Sequence, residues 1–342
     1  MKADLRPLEF LFDLVCQAPD DHLRASWRAL REAGSLSELR SLAGRYGLVS
    51  ALARFAGRLP AEDVDTEVRL AVAQGMGAQH GVSAVLQLLS RLCETPELSG
   101  REAIAIKGVA LILDGRYEDE RDLCDADILV QECDLVAWQA AAARIGASYR
   151  SIAGEAHEYA AITTAGTLIE LHAALPATIG FERGPGFNAV RAHARPPRRF
   201  PHSPGLLVVA DEAAIEVAVH HFAFHHGGQP LHALRTLQDL RVLGATSGID
   251  DLLPWGSPSP RDAVLRLTAL ARTFATGGTP DLAARSDFVS RLAAVQDFPD
   301  SPEMIFTDSV RRVLSDRSSD GPSTLRRVFS RVIPPRTPGQ PP

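Results

Sequence analysis

The chain has 342 residues, 45% of them hydrophobic and 23% charged, with a formal net charge of −6. That balance is ordinary for a soluble globular chain and can bury a real core in two or three domains. The acidic surplus argues against a large polyanionic partner such as duplex nucleic acid, while a nucleotide needs only a few local cations.

Aromatic residues are sparse at 6%, and Ala and Leu dominate, which favours helices over a sandwich or barrel. Cys16, Cys93, Cys124 and Cys133 form no C-x-x-C pair and read as free thiols of a reducing compartment. Met1-Lys2-Ala3-Asp4 has no charged-then-apolar signal layout, and no apolar run reaches the ~18 residues of a membrane span. The expectation is a cytoplasmic protein with no membrane partner.

Residues 1–97 read as a helical region. Apolar positions recur at helical spacing through Leu8, Leu11, Phe12 and Val15, and again through Val68, Leu70, Ala71 and Met76. Pro60 followed by Ala61-Glu62-Asp63 reads as a helix start. The run 82–92 is apolar all round and predicts a second, buried helix.

The pattern changes after Thr95-Pro96-Glu97. Strands are expected at 104–106, 126–130, 148–152, 159–163 and 167–172, with helices at 109–113 and 135–145. Residues 98–182 therefore form an α/β or α+β core of about the size of a small domain. Residues 183–211 are rich in Arg, Pro and Gly and read as a crossover loop, with a short strand at 206–209. Arg183, Arg191, Arg195, Arg198 and Arg199 give it a basic character, solvated in the simplest reading and otherwise a dock for an anionic acceptor. Helical pattern resumes over 212–314, and 315–342 reads as a disordered tail.

The chemistry concentrates at Arg121-Asp122-Leu123-Cys124-Asp125-Ala126-Asp127-Ile128-Leu129-Val130. Residues two apart on a strand face the same side, so Asp125 and Asp127 project together. Two such carboxylates repel unless a cation sits between them or one is protonated. Mg²⁺ suits one or two carboxylates plus substrate phosphates. Glu170, flanked by apolar Leu168-Ile169 and Leu171, is the candidate third acid, and His172 two residues on faces the same way. An unliganded pair strained by repulsion predicts that Asp127→Asn leaves the metal-free melting temperature unchanged or slightly raised.

Lys107 is one of only two lysines in a chain whose basic charge is otherwise Arg. With Gly108 it sits at a strand-to-helix turn, where glycine admits a phosphate to the backbone and lysine adds a point charge. Arg121 either meets a phosphate or pairs with Asp125. In His220-His221-Phe222-Ala223-Phe224-His225-His226, His221 and His225 share a helix face, yet no H-E-x-x-H or cysteine pair accompanies them. They read as packing or substrate-facing groups.

Lys107-Gly108, Tyr117, Arg121-x-x-x-Asp125-x-Asp127-x-Leu129-Val130, Gly146, Glu170-Leu171-His172 and, later, His221, His225 or His226 and Asp239 form a spaced set. The set resembles an uncharacterised bacterial nucleotidyltransferase family of the polymerase-β-like nucleotidyltransferase superfamily, over about residues 79–243. The wider superfamily carries Gly followed by Ser or Gly at the first turn, where this chain has Lys107-Gly108-Val109.

The resemblance implies an α+β fold, a small mixed nucleotidyltransferase sheet with flanking helices, preceded and followed by helical regions. It implies Asp125, Asp127 and Glu170 as ligands of Mg²⁺ or Mn²⁺. It further implies a nucleoside triphosphate as substrate, with Lys107, Gly108 and Arg121 toward the nucleotide. The acceptor is open: a peptide, a protein hydroxyl or a sugar phosphate. A degenerate nucleotide-binding module and an RNA-modifying nucleotidyltransferase are the alternatives.

Overall fold

The computed structural model describes residues 5–243, apart from 124, 152–157, 177–182, 200–202 and 222–229. His225, His226, the expected helices beyond 243 and the tail at 315–342 lie outside the described residues.

Helices α1 (Arg6–Val15), α2 (Asp20–Glu32), α3 (Leu36–Tyr46), α4 (Val49–Ala56) and α5 (Thr66–Cys93) build the N-terminal layer. The α1 stripe of Leu8, Leu11, Phe12 and Val15 is buried as its spacing requires. Phe10 joins it and packs edge-on to Phe55 of α4 at 5.3 Å between ring centroids, with Trp27 of α2 at 6.0 Å. Three helices thus close on one aromatic cluster.

Two expectations change here. Pro60 opens a short 3-10 turn, not a helix, and the helix begins at Thr66 because Asp65 caps it, accepting from the Val68 backbone N–H at 3.0 Å. The two apolar runs then fuse into a single helix of 28 residues. Its buried face runs through Val68, Ala71, Gly75, Val82, Val85, Leu88, Leu89 and Leu92. Leu70 and Met76 point off that face and are 41% and 71% exposed. Ser83, Gln87 and Arg91 are also exposed, so the 82–92 run is amphipathic and not buried all round.

Gly75 is where α5 touches α4. A Cβ placed there would lie 2.1 Å from the Ala53 Cβ. Alanine would gain about 1 kcal/mol of helix propensity, but forcing two packed helices apart costs typically 1–3 kcal/mol. Gly75→Ala is therefore expected to lower the melting temperature, as read by circular dichroism. A raised value would mean that the α4–α5 contact is loose.

Among the described residues the main sheet has seven strands, in the order β3-β4-β5-β2-β1-β9-β8. They are β1 (Ala103–Ala105), β2 (Ala126–Leu129), β3 (Ser148–Ser151), β4 (Glu158–Thr164), β5 (Thr167–His172), β8 (Ala194–Arg195) and β9 (Leu206–Val209). Between β1 and β2 comes α6 (Lys107–Leu113), and between β2 and β3 comes α7 (Leu135–Arg144). The central strands β1 and β2 are buried throughout, and apart from Asp127 they are apolar. β1 runs antiparallel to β2 and parallel to β9, while β2 runs parallel to β5. The fold is thus a mixed sheet with flanking helices, of the α+β kind.

The crossover is more ordered than its composition suggests. β6 (Ala174–Pro176) and β7 (Arg183–Gly186) pair as a separate two-stranded sheet, followed by α8 (Phe187–Arg191) and the edge strand β8. Arg191 grips Glu102, Arg195 and Arg198 reach Asp114, and Arg199 donates to the Tyr117 carbonyl at 3.1 Å. These arginines staple the crossover to the sheet and do not form a free basic loop.

Two further helices, α9 (Asp211–His220) and α10 (Pro230–Val242), follow. α10 packs on α1 and α3. Its Leu234, Leu237 and Leu240 are fully buried. A single hydrophobic cluster therefore runs from Leu8 to Leu243. Among the described residues no helix is long and apolar enough to cross a membrane.

Candidate metal centre

The site is assembled by strand register. β2 and β5 lie side by side in parallel, with Asp127 opposite Glu170 and Leu129 opposite His172. Paired residues share a face, and so do residues two apart, so Asp127, Glu170 and His172 project together. One ligand atom from each of these three lies within 4.8 Å of the others. The intervening Ile128, Ile169 and Leu171 are fully buried on the other face, which fixes the register against a one-residue slip.

Asp127 is the hub. Its Oδ1 accepts from the Lys107 ammonium at 2.6 Å and lies 2.8 Å from His172 Nε2. Glu170 stands 3.9 Å from the same imidazole nitrogen. Burial alone would raise the Asp127 pKa, but the Lys107 charge and the His172 hydrogen bond outweigh it and hold the group well below the ordinary carboxylate range. Asp125 goes the other way. Burial raises its pKa first, and the charge of Asp127 adds to that, with Lys107, Arg235 and Arg121 pulling back. The two acids of the D-x-D pair are thereby driven apart in acidity, as sites of proton or metal chemistry require. Asp125 precedes the first residue of β2, and the three-residue cluster with mutual approach does not include it.

Lys107 adopts a left-handed backbone, with φ 58, at the first residue of α6. A non-glycine residue there is strained by about 1 kcal/mol or more, and such strain is retained mostly where geometry serves a purpose. Its amine ends on Asp127.

Gly108 and Arg121 fill different places from those expected of nucleotide contacts. A Cβ on Gly108 would lie 2.8 Å from an Arg121 guanidinium nitrogen, so the glycine makes room for Arg121. Arg121 is 5% exposed and pairs with Asp239, not Asp125. Its Nε and Nη2 donate to the two Asp239 oxygens at 2.7 and 2.9 Å, and its Nη1 donates to the Asp122 carbonyl at 2.6 Å. The Tyr117 hydroxyl donates to the same Asp239 at 2.8 Å. With every guanidinium nitrogen engaged, Arg121 is a positioning residue behind the acidic strand.

Neighbouring Asp122 accepts from the backbone N–H groups of Val49 and Ser50 at 2.7 and 2.9 Å. It thus caps α4 from outside the helix. Its role leaves no local sequence signal, since the capped helix lies 72 residues away. Arg235 of α10 was also missed; it packs over Gly47, and its charge reaches Asp125. His221 caps the end of α9, partly buried, and is not part of the acidic cluster.

The two carboxylates suit a divalent cation of the Mg²⁺ or Mn²⁺ class, while the imidazole is a ligand type more at home on Zn²⁺ or Fe²⁺. No family model matches this chain, and no curated protein or solved structure is found to be similar to it.

Proposed function

We propose that the chain is a metal-dependent nucleotidyltransferase of the polymerase-β-like kind, moving a nucleotidyl group from a nucleoside triphosphate to an acceptor hydroxyl or phosphate. One observation carries this reading: Asp127, Glu170 and His172 converge from two parallel strands beside a strained lysine. Phosphoryl-group transfer rests mainly on positioning and charge neutralisation, and this set supplies both.

Asp127 and Glu170, with His172 beside them and Asp125 at the strand mouth, would hold the divalent ion. That ion supplies neutralisation of the triphosphate charge. Lys107 balances Asp127 in the resting site and is the cation placed to meet phosphate oxygens as they arrive. Glu170, whose side chain is 23% exposed, is the more open member of the cluster. It is the group to accept the acceptor's proton. The acceptor class remains a peptide, a protein hydroxyl or a sugar phosphate.

The competing reading, a nucleotide-binding module without turnover, draws support from the pairing of Asp127 with Lys107 and His172, which satisfies its Oδ1 without metal. The pairing of the crossover arginines with Glu102 and Asp114 removes the basic loop as support for an RNA substrate.

The test is incubation with each labelled nucleoside triphosphate, Mg²⁺ or Mn²⁺ and candidate acceptors, read by mass spectrometry for an added nucleotidyl mass. Glu170→Gln is expected to lower transfer by about 100-fold or more, the usual scale for a lost general base. Nucleotide affinity measured by calorimetry without added divalent metal should change little, while the gain in affinity that metal brings should shrink. Nucleotide binding without transfer, under all metals, would favour the binding module. Absence of nucleotide binding would end both readings.

A further inference from the structure

The resting hydrogen bonds of the acidic cluster set a condition on how it fills. Asp127 Oδ1 accepts from the Lys107 ammonium at 2.6 Å and lies 2.8 Å from His172 Nε2. An ionised carboxylate only accepts, so both neighbours point a proton at the same oxygen and use its two lone pairs. Lys107 thus holds, as a cation, a place on the oxygen that a divalent ion also needs. Two cations on one oxygen repel, and burial weakens the screening between them.

Lysine is suited to leave such a place. Its ammonium is a point charge on a flexible four-carbon stem, whereas an arginine fork would grip the carboxylate through two bonds. The chain carries 36 basic residues, and only Lys2 and Lys107 are lysines. The structure also commits buried acids to arginine where the hold is to be permanent, as in the forked pairing of Arg121 with Asp239.

We propose that Lys107 is an exchangeable cation: it holds Asp127 in the resting site and yields the carboxylate to a divalent ion when a phosphate group arrives to take the ammonium. The exchange rests on the metal-centre reading and specifies how that centre is loaded. An ion arriving alone would leave the ammonium buried without its partner, and phosphate arriving alone would draw the ammonium off and leave Asp127 with His172 only. Together they leave each charge paired. Metal and phosphate therefore bind as a coupled pair, each raising the other's affinity by the same factor. The site takes up its ion with a phosphate compound and not from the free pool.

The test is titration of the full chain with Mn²⁺, with and without inorganic phosphate, read by the electron paramagnetic resonance of free Mn²⁺. A mixture of Mn²⁺ and phosphate alone corrects for their own complex. Lys107→Met should bind Mn²⁺ alone about tenfold more tightly than wild type, and phosphate should raise wild-type affinity about tenfold while changing the variant's much less, as a coupling of ordinary size requires. A melting curve reports whether Lys107→Met folds; Lys107→Gly, which suits the left-handed backbone at this position, decides if it does not. Nuclear magnetic resonance gives the second readout. With Lys2 and Lys107 the only lysines, ¹⁵N-lysine labelling resolves the Lys107 ammonium, whose signal should move when Mg²⁺ and phosphate are both present and stay when Mg²⁺ is added alone. Unchanged Mn²⁺ affinity in the lysine variants, an equal phosphate gain in wild type and variant, or a Lys107 signal that stays put while both ligands bind would overturn the exchange and leave the metal centre standing. No Mn²⁺ bound by any form, with or without phosphate, would end the metal-centre reading and the exchange with it.

Discussion

Asp127→Asn is expected to lower the melting temperature of the metal-free protein, and Asp125→Asn to raise it. Sequence reasoning placed mutual repulsion on the pair as a whole and expected removal of Asp127 to be neutral or helpful. The structure divides that repulsion unequally. Asp127 is 6% exposed and carries both Lys107 and His172. Its loss strands the Lys107 ammonium, on a side chain only 15% exposed, beside a neutral amide. Removing one partner of a buried pair costs typically about 3–5 kcal/mol. At the lower end, and at about 2–4 °C per kcal/mol for a folded unit of this size, that is about 6–12 °C. Asp125 instead bears burial and the Asp127 charge, so neutralising it relieves a cost.

The pH dependence follows with opposite signs. Asp127 has a depressed folded pKa, so its contribution is present above the ordinary carboxylate value and is lost as pH falls through the depressed one. Asp125 has a raised folded pKa, so its cost is absent in acid and appears as pH climbs from the ordinary value through the raised one. Calorimetric melts in chelator across the acid range should show the Asp125→Asn gain fading at low pH. Identical melting of wild type and both variants at neutral pH would mean that Lys107 does not hold Asp127.

How the sequence reveals these groups depends on range. Asp127 and Glu170, with His172 facing the same way, are legible because strand alternation puts polar groups at every second position between apolar neighbours; that the imidazole, and not Asp125, joins the two acids is set by strand register and is not legible there. The strand-helix-strand order of 103–129 is legible for the same reason. The partner of Lys107 is not, since it depends on a left-handed turn at one residue. The ordered crossover was hidden because β6, β7 and β8 are short and lie outside the buried centre of the main sheet, so backbone pairing rather than apolar alternation defines them. The helix-start reading at Pro60 failed by a few residues because Asp65, not the proline turn, carries the cap. Tyr117, Arg121 and Asp239 were each visible as spaced motif members, but their union was not. They meet across 118 residues of sequence, and Arg121 gave no local hint of choosing Asp239 over the nearer Asp125.

That union predicts the other large effect. Asp239→Asn is expected to destabilise the protein by about 3–5 kcal/mol, a fall in melting temperature of about 6–20 °C. Arg121 is buried, and its guanidinium makes both oxygens of Asp239 its acceptors. The Asp239 charge and hydrogen bonds overcome the burial that would otherwise lower the Arg121 pKa and set it above the usual arginine value. That support leaves with Asp239, but an arginine is intrinsically so basic that the guanidinium stays charged and is left buried without its partner. The Asn oxygen can replace one acceptor, while its amide nitrogen faces a second guanidinium donor. The Tyr117 hydroxyl, whose own pKa burial drives up, also loses its ionic acceptor. Tyr117→Phe alone should cost only about 1 kcal/mol, the net worth of one hydrogen bond. Replacing the whole group tests the cause: in Tyr117→Phe/Arg121→Met/Asp239→Leu no buried charge is stranded, and much of the lost stability should return. If Asp239→Asn melts within about 2 °C of wild type, the guanidinium is reaching water or another acid, and α10 is not tied to the acidic strand in solution. If the single variant falls and the triple recovers, the pair is a strut whose cost lies in being half-broken.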